Sequence, residues 1–331
     1  MTNSAIDIIA IGDAIVDVIA TCDDAFIAEH RLPKGGMQLL DRDSADRLYS
    51  AMGNARETSG GSAANSMAGI AAMGGRAAFI GQVADDQLGD VFAHDIRAAG
   101  VHFDTPVRSG SPTTARCLIF VTPDGQRTMN TFLGASQFLP AAALDADLIA
   151  DAAILYLEGY LWDPEEPRAA MRAGIDIARK AGRKVAFTLS DTFCIGRHGG
   201  DFRALIADGL VDIMFANEAE LTALAETDDY EAALAKIAAQ VPTLVATRGA
   251  HGACAVQGGT RVSVKAQPID KVVDTTGAGD LFAAGFLHGQ AQGKTLEESL
   301  TLGSICAAEI ISHYGARPNV DLKALAAEKL G

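Results

Sequence analysis

The sequence predicts an α/β fold, a mostly parallel sheet covered by helices on both faces and carrying a small β-rich lid. Three observations lead there. From Leu144 onward, short apolar runs alternate with helical stretches, as parallel strands joined by crossover helices require. Between Val101 and Phe132 that alternation lapses into consecutive strand-like runs, which suits a small antiparallel unit attached to the core. Finally, a Gly-rich turn at Asp274 to Asp280, DTTGAGD, runs directly into the apolar, helically spaced LFAAGFLHG, the kind of loop that holds ligands beyond the carboxyl ends of strands.

In chain order, Ile6 to Ile11 reads as a buried strand closed by Gly12, and AIVDVIATC as a second strand. Asp23 to Gly36 reads as an irregular connection. Gly60 and Gly61 precede a small-residue helix, SAANSMAGIAAMGG, and the strand RAAFIGQV follows. Leu88 to Ala99 has helical spacing and stops at Gly100, after which VHFDTPVR and TTARCLIFVTPDGQRTMNTF read as strands, the latter folded at its PDG turn. Alternation then resumes: strand AAILYLEGYL, helix PEEPRAAMRAGIDIARKAG, strand KVAFTLS, helix GGDFRALIADG, strand VDIMFAN, a Glu- and Ala-rich helical stretch, strand TLVATRG and a hairpin through GACAVQGGTRVSV. The expected organisation is one unit over 1–331, with a large domain at 1–13, 39–104 and 133–331 and a discontinuous lid at 14–38 and 105–132.

Composition narrows the function classes. The 331 residues are 49% hydrophobic and 21% charged, as in an ordinary soluble globular protein. Lys and Arg number 27 against 42 Asp and Glu, a net charge of −15 that repels nucleic acid and anionic membrane surfaces. An anionic substrate then needs local neutralisation by amides or a metal, which favours a metal nucleotide. Cys22, Cys117, Cys194, Cys254 and Cys306 are odd in number and scattered, which argues against a disulfide framework or a zinc site. The start, MTNS followed by IDIIAIGDAIVDVIA with three aspartates and no basic stretch, reads as neither signal peptide nor membrane span, so a cytoplasmic location is expected.

The chemistry concentrates at strand ends. Gly277 and Gly279 allow a tight turn and close ligand approach, while the first amides of the following helix lack internal partners and, with the helix dipole, suit phosphate. Asp280 stands where a carboxylate could act as a base or merely cap the helix. GGSAANS, Gly60 to Ser66, again exposes amides ahead of a helix, and Asp13 and Asp17 in GDAIVD add carboxylates. NEAE, Asn217 to Glu220, opens a helix after a strand and reads on spacing as an N-cap.

The string DTTGAGDLFAAGF resembles the C-terminal signature of the PfkB-type, ribokinase-like family of carbohydrate and nucleoside kinases, and the resemblance extends over nearly the whole chain. It implies a ribokinase-like α/β fold and transfer of the ATP γ-phosphoryl group to an alcohol. Asp280 would be the catalytic base, with Gly277, Ala278 and Gly279 holding the developing charge. GGSAANS resembles the family's N-terminal motif, implying that Asp17, Gly60, Gly61, Ser62 and Asn65, with Asp13 nearby, bind the acceptor. Asn217 and Glu220 match the family's NxxE, implying organisation of Mg²⁺ and phosphate oxygens, for Glu220 through water. Thr247, Arg248 and Gly249 in ATRGAHG, together with Thr276, Ala307 and His313, would border the nucleotide. Asp274 is the candidate for a monovalent cation, K⁺. Arg116 and Arg127 lie on lid strands, where an exposed strand face is the default.

Within the family, three stretches resemble the adenosine kinase branch: GGSAANS, the lid segment PKGGMQLLD with Gln38, and YLEGYLWDPE, where Tyr160 or Trp162 offers a ring to a purine. Glu158 departs from the small residue expected there. The resemblance therefore implies adenosine as acceptor, phosphorylated at its 5′-hydroxyl to AMP. Ribose, fructose, fructose 6-phosphate or ketodeoxygluconate are the alternatives within the family, and a nucleoside sensor without turnover is the alternative outside it. Assembly is expected as a monomer or a lid-mediated homodimer.

Overall fold

A computed structural model describes residues 6–330, so residues 1–5 and 331 of the expected large domain lie outside the described residues. The strands are β1 (Ile8–Ile11), β2 (Ile15–Thr21), β3 (Met37–Leu39), β4 (Ala55–Gly60), β5 (Ala77–Ile80), β6 (Ala115–Val121), β7 (Arg127–Phe132), β8 (Ile154–Glu158), β9 (Lys184–Thr188), β10 (Ile213–Asn217), β11 (Thr243–Thr247), β12 (Ala253–Gln257) and β13 (Thr260–Val264). Eight form a central sheet in the order β13-β12-β11-β10-β9-β8-β1-β5, parallel except for the hairpin of β12 and β13 at one edge.

Every residue of β1, β5 and β8 is buried, because both faces of the sheet are covered. Successive side chains go to opposite faces. Ile8 and Ala10 join a core with the helices Ser62–Ala72, Ala278–Ala291 and Leu296–Ile310, whereas Ile9 and Ile11 join one with Glu165–Lys180 and Thr192–Ala207. The result is a three-layer, ribokinase-like α/β unit.

The other five strands form a second sheet in the order β3-β7-β6-β2-β4. It differs from the expected antiparallel unit, since β2 pairs with β6, and β3 with β7, in parallel. The long excursions through the large layer between these strands permit that direction. β4 also belongs to this sheet, although it falls in the range 39–104 expected for the large domain. VHFDTPVR forms no strand; it makes isolated bridges at His102 and Arg108 beside the central sheet, and Pro106 between them has no amide to donate. Asp23–Gly36 is less irregular than expected: Asp23 accepts from the Phe26 amide and caps a short helix, Asp24–Glu29.

Alternation along the second sheet gives it two distinct faces. Ile15 and Asp17 of β2, Cys117 and Ile119 of β6, and Met129 and Thr131 of β7 line one wall of a cleft. The opposite wall is built from the carboxyl ends of β8 to β11 and the helix starting at Ala278. Among the described residues, no helix is long and apolar enough to cross a membrane.

Candidate active site

The cleft is a cavity of about 600 Å³ with Asp280 in its wall. Gly277 adopts φ 78°, a left-handed conformation at the N-cap that a side chain would strain, and an added Cβ would meet that of Ala316 at 2.9 Å. The turn therefore brings Gly277, Ala278 and Gly279 to the cavity surface with the amino end of the helix dipole behind them. One turn in, the Asp280 carboxylate accepts from Ser62 Oγ at 2.6 Å and from Asn65 Nδ2 at 3.0 Å. Burial raises its pKa, while the bonds from Ser62 and Asn65 and the charge of Arg317 oppose the rise. A carboxylate so held is ionisable and more basic than one in water.

Ser62 and Asn65 were expected to face the acceptor; they line the cavity and also orient Asp280. Gly61, with φ 94°, passes so close to the Asp13 carbonyl that an added Cβ would lie 2.1 Å from it. Asp17 lines the cavity, and burial pushes its pKa up to about 6. Gly60 stands behind Asp17, where a Cβ would meet its carboxyl carbon at 2.6 Å. Asp13 does not line the cavity: it is buried, and its amide donates to Glu158 Oε1 at 2.7 Å. Glu158, also fully buried, accepts the Ala63 amide on Oε2 at 2.7 Å, so it anchors the start of the Gly61–Ser62 helix in place of a small residue. Burial and the adjacent Asp13 hold the Glu158 pKa well above the usual carboxylate range.

Of the residues expected to meet the nucleotide and its metal, Asn217 and Glu220 both cap a helix and line the cavity. Asn217 Oδ1 accepts the Glu220 amide at 2.9 Å, while Glu220 accepts the Asn217 amide at 3.0 Å and its Nδ2 at 2.6 Å. With both oxygens engaged, Glu220 fits a hydrated cation better than a directly coordinated one. Burial raises its pKa to about 7. Among the described residues no group of three or more His, Cys, Asp or Glu is placed to hold a metal ion. Thr247 and Thr276 line the cavity, and a smaller pocket of about 130 Å³ meets it at Ala278 and Gly279, lined by Thr247, Gly249 and Ala307.

Five expected positions fall elsewhere. Arg248 pairs with Glu218 at 3.0 and 3.1 Å and lies over the Tyr230 ring, away from both pockets. His313 contacts Glu309 Oε1 at 2.9 Å at a helix end. Asp274, the candidate for a monovalent cation, is engaged by protein groups: its carboxylate accepts the Thr276 amide at 3.0 Å and the Gly315 amide at 3.1 Å and is paired with Arg127. Gln38 pairs in register with Asn130 and donates to it at 2.7 Å, on the sheet face turned from the cavity. Trp162 is fully buried, donating Nε1 to Asp201 at 2.9 Å, so it belongs to the core.

Tyr160 does reach the cavity, 38% exposed, its hydroxyl donating to the Ser190 carbonyl at 3.2 Å. Ser190 itself was missed. It has φ 69°, and its Oγ accepts the Gly159 amide at 2.8 Å, fixing the turn that carries Tyr160. Arg317 was missed as well. It lies in the segment YGARPN and touches Asn65 and Ser59, and an arginine bracketed by Gly and Pro was the one sign of it in the sequence.

A phosphate-suited helix start, a hydrogen-bonded carboxylate facing the same cavity and an adjoining second pocket define a phosphotransferase acting on a small alcohol with ATP. The comparisons make this particular. A model of the pfkB family of carbohydrate kinases matches residues 6–323, and the chain belongs to that family. An adenosine kinase from Sinorhizobium meliloti is similar at TM-score 0.91 and 49% identity, covering 98% of this chain and 99% of that one. A probable sugar kinase from Rhizobium etli CFN 42 is similar at TM-score 0.92 and 47% identity, with the same coverage. An uncharacterised sugar kinase of Archaeoglobus fulgidus is 31% identical over 256 residues, covering 75% of this chain and 96% of the relative.

Proposed function

We propose that this kinase phosphorylates the 5′-hydroxyl of adenosine, giving AMP. The observation that carries the reading is the charge of the cavity: among the described residues its lining includes Asp17, Glu220 and Asp280 but no Lys or Arg. A phosphorylated acceptor would find no cationic side chain on the wall, since the nearby Arg317 is already bonded to Asn65 and Ser59, and would meet carboxylates instead. A neutral acceptor fits, with hydroxyls toward Asp17 and Asn65 and a flat base toward Tyr160, Met129 and Ile119. The likeness to the Sinorhizobium meliloti adenosine kinase supports the same choice. Neutral sugars satisfy the charge argument too, and the likeness to the probable sugar kinase supports them as the second reading.

In this reading Asp280 takes the proton of the attacking hydroxyl, held toward it by Ser62 and Asn65. The Gly277 to Gly279 turn holds the transferring phosphoryl oxygens, positioning and electrostatics being the main sources of rate in phosphoryl transfer. Glu220, bonded to Asn217, would hold the water shell of the Mg²⁺ that accompanies ATP, the cation favouring its ionised form. Closure of the second sheet over the cleft would exclude water and the wasteful hydrolysis of ATP. The test is ATP consumption with adenosine, ribose, fructose, fructose 6-phosphate and ketodeoxygluconate. Adenosine should give the highest kcat/KM; a preference for fructose 6-phosphate would overturn the charge argument, and binding of adenosine without turnover would indicate a sensor.

A further inference from the structure

We propose that Arg317 is a positioning residue for the reaction, fixing which way the Asn65 amide faces and so holding the Asp280 carboxylate in line with the acceptor hydroxyl. The inference rests on the reading of Asp280 as the base. Arg317 reaches the site from the loop after Leu296–Ile310, more than 250 residues away in sequence from Asn65. One terminal nitrogen donates to Asn65 Oδ1, and the other donates to the Ser59 carbonyl at 2.7 Å and to Ser59 Oγ at 2.8 Å. Ser59 in turn is held by Asp95, whose Oδ2 accepts the Ser59 amide at 2.8 Å and hydroxyl at 2.6 Å. The loop has a second anchor in the Gly315 amide, bonded to Asp274 ahead of the phosphate turn.

A guanidinium can only donate, so it binds the oxygen end of Asn65 and no other. Asn65 Nδ2 is then committed to Asp280, to which it donates at 3.0 Å. Without Arg317 the amide can turn over and set its oxygen against the carboxylate, leaving Ser62 as the one remaining side-chain donor to Asp280. Arg317 also supplies positive charge among groups of the opposite sign. Tyr156 from β8 and Tyr160 from the turn after β8 face Asp280 as neutral phenols, while Asp17 from β2 and Glu158 from β8 bring carboxyl groups whose ionisation and that of Asp280 oppose each other. Arg317 is the cation that acts against that opposition.

The experiment compares wild type, Arg317→Gln and Arg317→Lys in the best substrate pair, with circular dichroism and thermal melting to establish folding. In Arg317→Gln, kcat should fall about 10 to 100-fold, the scale expected when a reacting group is misplaced. Its KM for MgATP should hold, and the acidic limb of kcat/KM should move to higher pH by about 1 unit, because the base has lost a nearby opposite charge. Arg317→Lys should return the limb toward wild type while restoring only part of kcat, since an ammonium keeps the charge without the fork. A folded Arg317→Gln with wild-type kcat and an unmoved limb overturns the proposal. Should that variant not fold, Arg317→Lys decides it: lowered kcat supports the role, and wild-type kcat overturns it. Asp280→Asn separates the two layers of argument. If it retains turnover, the base reading itself fails; if it is inactive while Arg317→Gln behaves as wild type, only the role of Arg317 falls.

Discussion

Arg127 on β7 and Asp274, three residues ahead of Gly277, form an ion pair across 147 residues, with side chains 7% and 6% exposed, joining the second sheet to the loop that carries Gly277. Its partners pull the Asp274 pKa in one direction. Burial acts to raise it, but the Thr276 amide, Arg127 and the Gly315 amide together hold it below the usual carboxylate value. The pair therefore contributes stability that is fully present above the unfolded pKa near 3.9 and is lost as pH falls through the lower folded value. Removing one partner strands a buried charge. Arg127→Met should lower the urea-unfolding free energy by about 3 to 5 kcal/mol. The double variant Arg127→Met with Asp274→Asn should recover part of that loss, because no uncompensated charge is left. Equal midpoints for wild type and Arg127→Met would show that the pair does no structural work.

Asp280→Asn probes the other end of the same loop. Ser62 and Asn65 donate to different oxygens of the carboxylate, and an asparagine replaces one of those oxygens with a donor NH2 group. The fold should persist, since Leu281 and Phe282 still bury the helix. Turnover should drop about 10² to 10⁴-fold, the usual contribution of a general base, with acceptor and ATP affinity broadly kept. Steady-state rates combined with calorimetric titration of both substrates separate the two effects, and near-normal turnover would remove Asp280 from the mechanism.

What the sequence shows and what it hides have local causes. Gly277 and the apolar run after it were legible because a positive-φ glycine and a 3.6-residue repeat are both local signals. Asn217 and Glu220 were legible as a cap for the same reason. β4 was not, since ARETSG has no alternating apolar pattern and becomes a strand through pairing with β2. Gln38 shows how register decides function: one residue either way, Met37 or Leu39, would have faced the cavity side of the sheet, and pairing with β7 settled the matter. Arg317 and Ser190 act through partners distant in sequence, and no spacing rule reaches them.

Glu220 should leave a signature in the pH dependence of stability. Burial is the main reason its pKa is raised to about 7, with Asp191 adding to the rise. A carboxylate raised in the folded state contributes stability that is fully present below its unfolded pKa near 4.3 and lost as pH climbs through the folded value. Asp13 and Asp17, each raised to about 6 chiefly by burial, act in the same direction. The informative quantity is thus the difference between wild type and Glu220→Gln. Between about pH 4.3 and 7, wild-type unfolding free energy should fall relative to the variant, by at most about 1.4 kcal/mol per pH unit for one group. Parallel curves over that range would show that Glu220 ionises as if in water.

The adjacent glycines at the acceptor end should fail in different ways when replaced by alanine. Gly61 has φ 94°, and an added Cβ would lie 2.1 Å from the backbone oxygen of Asp13, which cannot yield without moving the chain. Gly61→Ala should therefore destabilise the protein by more than about 1 kcal/mol, read from its urea midpoint. Gly60 has no such backbone constraint; its Cβ would instead meet the Asp17 carboxyl group at 2.6 to 2.7 Å, and a side chain can rotate away. Gly60→Ala should keep its stability but displace the carboxylate from the acceptor hydroxyls. The loss of one hydrogen bond to a charged group, about 1.5 to 3 kcal/mol, would raise the acceptor KM at least 10-fold. The KM for MgATP should stay put, because among the described residues no hydrogen bond joins Thr247 or the Gly277 to Gly279 turn to Gly60 or Asp17. An acceptor KM unchanged in Gly60→Ala would mean that Asp17 does not hold the acceptor.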